Sequence, residues 1–440
     1  MKNSGVEWIG EIPEDWEISK TKYLTKLYTG NSIKDEEKNL YEDKADAVPY
    51  ISSKDINATF STTNYENGMY VKHSDNSFVR APAGSTLMCI EGGSAGKKKT
   101  FLNQEVCFVN KLCCFSPIKI DSKFLFYCLN SPNYEEEFRF NISGMIGGVS
   151  VGKLNQFILP KPPKETQQRI ASYLDKKCSK IEETIQNQQQ VIEKLKAYKQ
   201  SLITEAVTGK VKIANGKIKG TYESYKDSGV EYLGKIPSNW NVKRLRYIGK
   251  CQNGISKGGE FFGSGYPFVS YGDVYNNLVL PETVSGLIES TPEEQENYSV
   301  TAGDIFFTRT SETIEEVGFT SVCLKTIEKA TFAGFVIRVR PFTEELVPDY
   351  SKYYFSSDAH RRFFVKEMNL VTRASLSQDL LKRLPVLIPS KEEQKEIANY
   401  LDKKCTAIDT AIEQKQNLIE KLTEYKKSMI YECVTGKKEI

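Results

Sequence analysis

The chain has 440 residues, which is enough for two or three domains of ordinary size. Its 60 lysines and arginines nearly balance its 57 aspartates and glutamates, and 39% of its residues are hydrophobic. This composition excludes a polycationic tail and an acidic disordered chain, because neither combines such a charge balance with enough apolar material for a core.

Targeting signals and metal-ligand patterns are also missing from the sequence. The N-terminus lacks the apolar stretch of a signal peptide, and no window approaches about 18 consecutive apolar residues, so we expect a cytoplasmic protein. The 10 cysteines form no C-x-x-C pair, and the 2 histidines have no metal-ligand spacing. These patterns predict free thiols and no metal site.

The first element in the chain is an opening motif that occurs twice. Residues 4–16 read SGVEWIGEIPEDW, and residues 228–240 read SGVEYLGKIPSNW. A longer repeat relates residues 165–210 to residues 392–437, where about half of the positions are identical. The sequences between these repeats diverge strongly, so the chain alternates variable and constant segments in an internal repeat.

The two variable segments, block 1 (residues 15–160) and block 2 (residues 240–388), have the pattern of mixed α/β domains. Short apolar runs at 86–90, 304–308 and 334–339 are bounded by turn residues and predict strands. Residues 124–130 and 350–367 predict helices. We therefore expect an α/β (α+β) globular domain over 1–163, a second over 228–390, and a linker over 209–227.

Each constant segment predicts one long helix, over 164–208 and over 391–436. Apolar residues recur at a and d positions for about five heptads without an internal proline or glycine. Twelve residues are the predicted helix-pair and partner interface: Leu174, Ile181, Ile185, Gln188, Ile192, Leu195, Leu401, Ile408, Ile412, Lys415, Ile419 and Leu422.

The helices are expected to pair in an antiparallel coiled coil, which a pseudo-two-fold relation between the repeats favours. The linker is long enough that a parallel hairpin stays open. Gln188 and Lys415 are polar at matching central positions. Lys415 either extends its ammonium group to solvent or fixes the helix register through Gln188, and the sequence does not choose between them.

The familiar motifs that carry catalysis are missing from the sequence. There is no phosphate-binding G-x-x-x-x-G-K-[ST] motif, no G-x-S-x-G and no H-E-x-x-H. The two histidines have no counterparts in the other half, and His360, beside Arg361 and Arg362, is expected at the surface. The sequence therefore favours a binding protein over an enzyme, although an enzyme with an unrecognised site stays open.

Cations beside loops are candidates for binding a polyanion. Lys97, Lys98 and Lys99 follow a glycine-rich stretch, and Arg309, Thr310 and Ser311 follow a predicted strand at nearly the corresponding place in block 2. Arg373, Lys382 and Arg383 add further positive charge. The alternative for each of these residues is an ordinary solvated surface side chain.

The two opening motifs, together with Leu-Pro, Gln, Ile-Ala and Tyr-Leu-Asp before each long helix, resemble the specificity subunit of type I restriction–modification systems. The resemblance covers essentially the full chain in both halves. It implies two target recognition domains, each of which reads one half of a bipartite, asymmetric site in double-stranded DNA. It also implies that the helices set the gap between the half-sites and dock two methyltransferase (modification) subunits.

The same resemblance implies that restriction/translocase subunits join the complex and that this chain has no catalytic residues. S-adenosylmethionine and ATP with Mg would be used by the partner subunits, and this chain would bind no cofactor. A system without a restriction subunit stays open. So does a coiled-coil scaffold with two protein-interaction domains and no affinity for DNA.

Overall fold

The structure, a computed structural model, describes residues 1–143, 147–311, 316–367 and 374–440, apart from the side chains of Ser311 and Ala374. The chain divides into two compact units. Unit 1 contains Met1–Gln190 and Lys415–Ile440, and unit 2 contains Val191–Gln414. Each unit therefore combines one variable block with the first part of one long helix and the last part of the other.

Unit 1 contains the first fourteen strands and the first helices of the described chain. The strands are β1 Lys2–Asn3, β2 Glu11–Ile12, β3 Glu17–Lys20, β4 Thr25–Thr29, β5 Ala47–Ile51, β6 Ile56–Asn57, β7 Thr62–Thr63, β8 Tyr70–Lys72, β9 Arg80–Ala81, β10 Thr86–Cys89, β11 Lys99–Phe101, β12 Val106–Phe108, β13 Leu112–Pro117 and β14 Ile158–Lys161. The helices are α1 Thr21–Leu24, α2 Ser122–Leu129, α3 Pro132–Phe140, α4 Val151–Leu154 and the long helix α5 Lys164–Val207, which continues into unit 2. Short 3₁₀ turns cover Asp35–Tyr41 and Ser53–Asp55.

Block 1 is built on two four-stranded sheets. One has the order β11-β10-β13-β4 and is antiparallel throughout. The other has the order β8-β5-β12-β9, in which β5 and β12 are parallel. Strands β14 and β3 form a separate antiparallel pair that leads into α5. The predicted helix over 124–130 corresponds to α2.

Unit 2 contains the remaining elements. The strands are β15 Ile213–Ala214, β16 Lys217–Ile218, β17 Tyr225–Asp227, β18 Lys235–Pro237, β19 Asn241–Arg244, β20 Gly249–Asn253, β21 Phe262–Val269, β22 Leu287–Ile288, β23 Ile305–Thr308, β24 Thr310–Ser311, β25 Thr320–Val322, β26 Thr331–Phe332, β27 Val336–Pro341, β28 Ala374–Ser375 and β29 Pro385–Ile388. The helices are α6 Tyr271–Asn276, α7 Pro292–Asn297, α8 Pro348–Tyr354, α9 Asp358–Glu367, α10 Gln378–Arg383 and the long helix α11 Lys391–Val434, which ends in unit 1. Short 3₁₀ turns cover Leu245–Tyr247 and Gly259–Phe261.

Block 2 repeats the topology of block 1 despite the divergence of its sequence. Its main sheet has the order β20-β27-β23-β25, which is the order of the first sheet of block 1 written from the other edge. Strands β21 and β26 are parallel, as β5 and β12 are, and β19 pairs with β29 as β3 pairs with β14. The single helix that the sequence predicts over 350–367 is interrupted at residues 355–357 and forms α8 and α9.

The long helices α5 and α11 each contain 44 residues, in agreement with the two predicted constant-segment helices. Proline precedes the start of each, at Pro163 and Pro389, and glycine with a left-handed backbone follows each end, at Gly209 and Gly436, both with a φ of +71°. A proline interrupts a helix that would extend back through it, so each helix starts after its proline. The left-handed glycine ends each helix by closing its last turn.

The two helices are antiparallel within each unit. In unit 1, Lys426 Nζ of α11 donates to Glu182 Oε1 of α5, and Lys415 Nζ donates to Gln188 Oε1 at 3.0 Å, so α11 runs against α5. In unit 2 the equivalent pair joins Lys199 Nζ and Asp409 Oδ2 at 2.6 Å. The open choice for Lys415 is settled by its bond to Gln188, which joins the two helices.

The seam between the helices has the predicted composition. All twelve residues of the predicted helix interface are buried or half-buried, and Leu174 and Leu401 are fully buried. Full burial of an aliphatic side chain contributes about 1.5–3 kcal/mol relative to exposure. Several such residues in each unit are therefore enough to hold the helices together after the loss of side-chain entropy is included.

Each block is anchored to its long helix by equivalent hydrogen bonds. In unit 1, Tyr127 Oη donates to Asp175 Oδ1 at 2.6 Å, and in unit 2, Tyr353 Oη donates to Asp402 Oδ1 at 2.7 Å. Burial and the adjacent Asp175 carboxylate raise the pKa of Tyr127, so the phenol keeps the proton that it donates. The constant segment thus provides the same attachment point to two different blocks.

The opening motifs pack at the ends of the long helices, as buried residues. In unit 1, Trp16 is 4% exposed and lies beside Gly436, just after the end of α11. In unit 2, Trp240 is fully buried and lies beside Gly209, just after the end of α5. The linker over 209–227 is partly packed, because Ile213 and Tyr222 are buried. Each unit is therefore completed by the helix that comes from the other half of the sequence.

The two capping glycines provide a test of this packing. A Cβ atom added at Gly209 would lie 2.4 Å from Cδ of Pro237, and one added at Gly436 would lie 2.4 Å from Cδ of Pro13. We predict that Gly209→Ala and Gly436→Ala each lower the free energy of unfolding by about 2–4 kcal/mol, measured by denaturant unfolding, because a left-handed backbone and a clash add together.

Two glycines with the same backbone conformation serve as matched controls. Gly216 in unit 2 and Gly68 in unit 1 have φ values of +68° and +81° and no atom within 4 Å of an added Cβ. Their replacement by alanine should lower the free energy of unfolding by only about 1–2 kcal/mol. Equal losses at all four sites would contradict the proposed contact between helix end and opening motif.

Candidate functional site

Two loops occupy equivalent places in the two blocks. In block 1, residues 90–98 connect β10 to β11, and in block 2, residues 309–319 connect β23 to β25. Both pairs of strands are antiparallel neighbours in the corresponding sheet. The sequence comparison that put Lys97–Lys99 and Arg309–Ser311 at nearly corresponding places therefore agrees with the topology.

A short turn with the pattern Ser-x-x-Asp lies beside each loop. Ser52 Oγ donates to Asp55 Oδ2 at 2.7 Å after β5, and Ser270 Oγ donates to Asp273 Oδ2 at 2.6 Å after β21. In each case the aspartate also accepts from the backbone N–H of the serine at 2.8 Å. These paired bonds from serine to aspartate fix the turn, so the two intervening residues are presented on a rigid frame.

In unit 1 three loops converge at one end of the main sheet. Lys98 Nζ donates to the carbonyl oxygen of Ser53 at 2.6 Å, which joins the 90–98 loop to the Ser-x-x-Asp turn. Gly92 N donates to the carbonyl oxygen of Gly147 at 2.9 Å, which joins it to the loop that follows α3. The loop is thus held from two sides.

In unit 2 the same three loops converge through different atoms. Tyr271 Oη, in the Ser-x-x-Asp turn, donates to the carbonyl oxygen of Thr310 at 2.9 Å. Strand β24 in the 309–319 loop pairs with β28 in the loop that follows α9, and Leu376 N donates to the carbonyl oxygen of Arg309 at 2.7 Å. The two units therefore share a frame of three loops but present different side chains on it.

The structure separates the three predicted lysines of block 1. Lys97 is exposed, Lys98 is half-buried and its ammonium group bonds Ser53, and Lys99 is 1% exposed. Lys99 Nζ pairs with Glu135 Oε1 at 2.6 Å, and burial lowers the pKa of Lys99. The prediction that all three lysines contact phosphate is therefore corrected. Lys99, the first residue of β11, is directed inward. Of the three, only Lys97 has an exposed side chain.

The predicted residues of block 2 fall into two groups. Arg309 and Thr310 are half-buried in the converging loops, and Ser311 is placed there by its backbone in β24. Lys382 and Arg383 lie on α10, where they pair with Asp379 at 3.2 Å and Glu367 at 3.3 Å. Arg373 lies outside the described residues.

Residues of the Ser-x-x-Asp turns were missed by the sequence reasoning. Lys54 is exposed in unit 1, and Tyr271 and Tyr275 in unit 2 stack with ring centroids 5.8 Å apart. Residues 49–52 read PYIS and residues 267–270 read PFVS, so a similar segment in each block ends with the serine of the turn. A serine at each place does not by itself predict that the residues after it lie beside the converging loops.

His360 was expected at the surface and is 1% exposed. Its ring lies among Phe307, Phe355 and Phe364, and its Nε2 lies 3.1 Å from the carbonyl oxygen of Gly318, at the end of the 309–319 loop. The prediction rested on the adjacent arginines and was wrong, because α9 buries one face and exposes the other. Burial lowers the pKa of His360 to about 3, so the ring is neutral and supports the loop.

This buried histidine makes the stability of unit 2 depend on pH. The folded pKa is lowered below the ordinary value of 6.5, so the contribution is complete above pH 6.5 and is lost as the pH falls toward 3. We predict a loss of about 2 kcal/mol in the free energy of unfolding between pH 7 and pH 5, measured by denaturant unfolding at both values.

His360→Gln should remove that part of the pH dependence, because an amide can still donate to Gly318 but does not titrate in this range. His73→Gln, at a histidine near the edge of block 1, is the control and should leave the pH dependence in place. If wild type and His360→Gln lose the same free energy between pH 7 and pH 5, the histidine is not the titrating group.

The described residues contain neither a metal-ligating cluster nor a membrane-spanning helix. No group of three or more His, Cys, Asp or Glu side chains suited to a metal ion occurs among the described residues. The ten cysteines are free and buried. None of the helices in the described ranges is long and apolar enough to cross a membrane.

Comparison with known proteins identifies both halves of the chain. Residues 13–197 and residues 237–422 each match the family described as the type I restriction modification DNA specificity domain. The EcoKI specificity subunit of a type I restriction enzyme from Escherichia coli strain K12 is 23% identical over 444 residues, which cover 97% of this chain and 90% of that protein. The MjaVIII specificity subunit from Methanocaldococcus jannaschii is 24% identical over 97% of this chain and 93% of that protein.

A solved structure shows the same fold. A chain from a structural study of assembly and conformational transition in a type I R-M system aligns with a TM-score of 0.70 and 14% identity. The alignment covers 96% of this chain and 98% of the solved one.

Proposed function

Because the chain belongs to the family of type I restriction–modification DNA specificity subunits, we propose that its two blocks each read one half of a bipartite, asymmetric DNA site. The observation that carries this proposal is the shared three-loop frame with different side chains. A common frame can present each block to DNA in the same way, while the differing side chains give each block its own base sequence.

The chemistry of the loops supports recognition of DNA. Block 1 offers the exposed Lys97 and Lys54, which suit phosphate oxygens, and block 2 offers Arg309, whose planar guanidinium suits the O6 and N7 acceptors of guanine. The glycines of the 90–98 loop allow the backbone to approach a groove closely. Because the turns are already rigid, the loops lose less conformational entropy when they bind DNA.

The two long helices have two roles in this proposal. They set the gap between the half-sites, because a continuous helix is a stiff spacer of fixed length, and they dock two methyltransferase (modification) subunits. Restriction/translocase subunits join that complex. S-adenosylmethionine and ATP with Mg are used by these partners, and the chain described here is a non-catalytic subunit that binds none of them.

Mapping of methylated adenines tests the assignment of the loops to half-sites. The chain is co-expressed with the modification subunit of the same system, and the modified positions are located by single-molecule sequencing of host DNA. Wild type should give a two-part motif with a fixed gap. We predict that Arg309→Ala together with Thr310→Ala relaxes one half of the motif, at about 1–3 kcal/mol of lost discrimination for each base contact removed.

Lys382→Ala is the control for this experiment, since Lys382 is ion-paired on α10 outside the converging loops. It should leave both halves of the motif unchanged. If the variant of Arg309 and Thr310 changes both halves of the methylated motif, the two blocks do not read their half-sites independently. A stable complex without any methylated motif would favour the non-DNA-binding scaffold.

The salt dependence of DNA binding tests the division between Lys97 and Lys99. A lysine that neutralises a phosphate releases a counterion, so we predict that Lys97→Ala reduces the slope of log affinity against log salt by about 1. Lys99→Met should leave the slope unchanged, because its ammonium group is buried against Glu135. The measurement is a titration of the complex with duplex DNA at several salt concentrations.

Two results would count against this division. An unchanged slope for Lys97→Ala would show that the exposed lysine is an ordinary solvated residue. A reduced slope for Lys99→Met would show that the buried lysine is released when DNA binds.

A further inference from the structure

Each block carries a pair of large apolar side chains that are mostly exposed. Tyr23 and Ile118 in unit 1 are 60% and 63% exposed, and Tyr247 and Phe342 in unit 2 are 67% and 61% exposed. Both members of the second pair lie 224 positions after the members of the first, which is also the offset between the opening motifs. The repeat thus extends into the variable blocks at these positions.

The backbone brings the two members of each pair together. Ile118 N donates to the carbonyl oxygen of Leu24, which follows Tyr23, at 2.8 Å. Phe342 N donates in the same way to the carbonyl oxygen of Ile248, which follows Tyr247, also at 2.8 Å. We call these two surfaces patch 1 (Tyr23 and Ile118) and patch 2 (Tyr247 and Phe342).

The patches lie at the opposite end of the main sheet from the converging loops. In block 1, β10 runs toward the 90–98 loop, and its first residue, Thr86, pairs with Phe115 near the end of β13. Ile118 follows directly after β13, so it lies at the end where β10 begins. Block 2 has the same arrangement, because Phe342 follows β27 and Thr308, at the loop end of β23, pairs with Val336 at the start of β27.

Both patches have the same positive surroundings. A cation lies over each tyrosine ring, with Lys22 Nζ 4.9 Å from the centroid of Tyr23 and the Arg246 guanidinium 5.4 Å from that of Tyr247. Six exposed cations flank the patches, again at the 224-residue offset: Lys20, Lys22 and Lys26 in unit 1, and Arg244, Arg246 and Lys250 in unit 2. None of the six forms an ion pair within the described parts of the chain, and Lys20 Nζ donates to the neutral Gln156 Oε1 at 2.9 Å.

Neither the core nor the DNA sequence explains this repetition. Side chains that are at least 60% exposed add little to the cores of the two blocks. Side chains that read bases would differ between blocks with different half-sites, and a contact to DNA phosphate needs a cation but no large exposed apolar side chain. A feature retained in both blocks is expected where both meet the same partner, and exposed tyrosine, phenylalanine and isoleucine beside unpaired cations suit an acidic protein surface with an apolar centre.

We propose that patch 1 and patch 2 each dock one copy of the modification subunit, through an acidic surface with an apolar centre on that subunit. This inference rests on the proposed function, which supplies the partner and its two copies. The patches would add to the docking by the long helices. Each block thereby contacts DNA with one end of its main sheet and its partner with the other.

Removal of one patch at a time tests the proposal in the full chain. The variants are Tyr23→Ala with Ile118→Ala, Tyr247→Ala with Phe342→Ala, and all four substitutions together. Titration of the chain with purified modification subunit should show two equivalent sites for wild type. Binding should be at least about tenfold weaker at one site in each double variant and at both sites in the fourfold variant, and native mass spectrometry at a concentration that just saturates wild type should show the corresponding drop in occupancy.

Leu40→Ala in unit 1 and Phe335→Ala in unit 2 are matched controls, because these side chains are 78% and 64% exposed and lie outside the patches. Both controls should bind two copies. Lys22→Glu and Arg246→Glu should weaken binding at one patch each without removing an apolar group, which separates docking from a folding defect.

The outcomes distinguish this inference from the proposed function. If wild type and every variant bind two copies with equal affinity, the docking proposal is wrong while the proposed function stands. Two retained copies with weaker binding of duplex DNA would assign the patches to DNA and overturn the proposal. If wild type binds DNA but no modification subunit, both the docking proposal and the partner assignment fail.

Discussion

The antiparallel packing of α5 against α11 is the constraint on which both units depend. Each helix leaves one block and ends beside the opening motif of the other, where Trp16 and Trp240 are buried against the capping glycines. The apolar seam holds the helices together, and the bonds between Lys415 and Gln188 and between Lys199 and Asp409 fix how they are aligned.

This arrangement separates what is constant from what varies. The constant segments provide the same anchors to both blocks, through Asp175 and Asp402, each of which accepts a hydrogen bond from a tyrosine of its block. The sheets and the Ser-x-x-Asp turns are then free to present unrelated side chains on one frame. Divergence of the loops changes what is read without disturbing the attachment, because the loops and the anchors lie on different elements.

Much of the fold could be predicted from the sequence because its signals are local and periodic. A heptad pattern bounded by proline and glycine defines each long helix wherever it packs, and the duplicated motifs define the repeat. The seam residues were predicted for the same reason, since an a/d position faces a partner helix in any coiled coil. The interruption between α8 and α9 was missed because residues 350–367 contain no proline or glycine to mark it.

The sequence by itself determined the two repeated halves, the long helices with their buried faces, and the family to which the chain belongs. Only the tertiary structure decided which cations are exposed. Lys97, Lys98 and Lys99 are adjacent in sequence but have three different environments, because Lys98 bonds the carbonyl oxygen of Ser53 and Lys99, the first residue of β11, is buried against Glu135. The burial of His360 likewise depends on which face of α9 packs against the sheet. The convergence of three loops is a property of the topology, since it joins segments that are far apart in the chain.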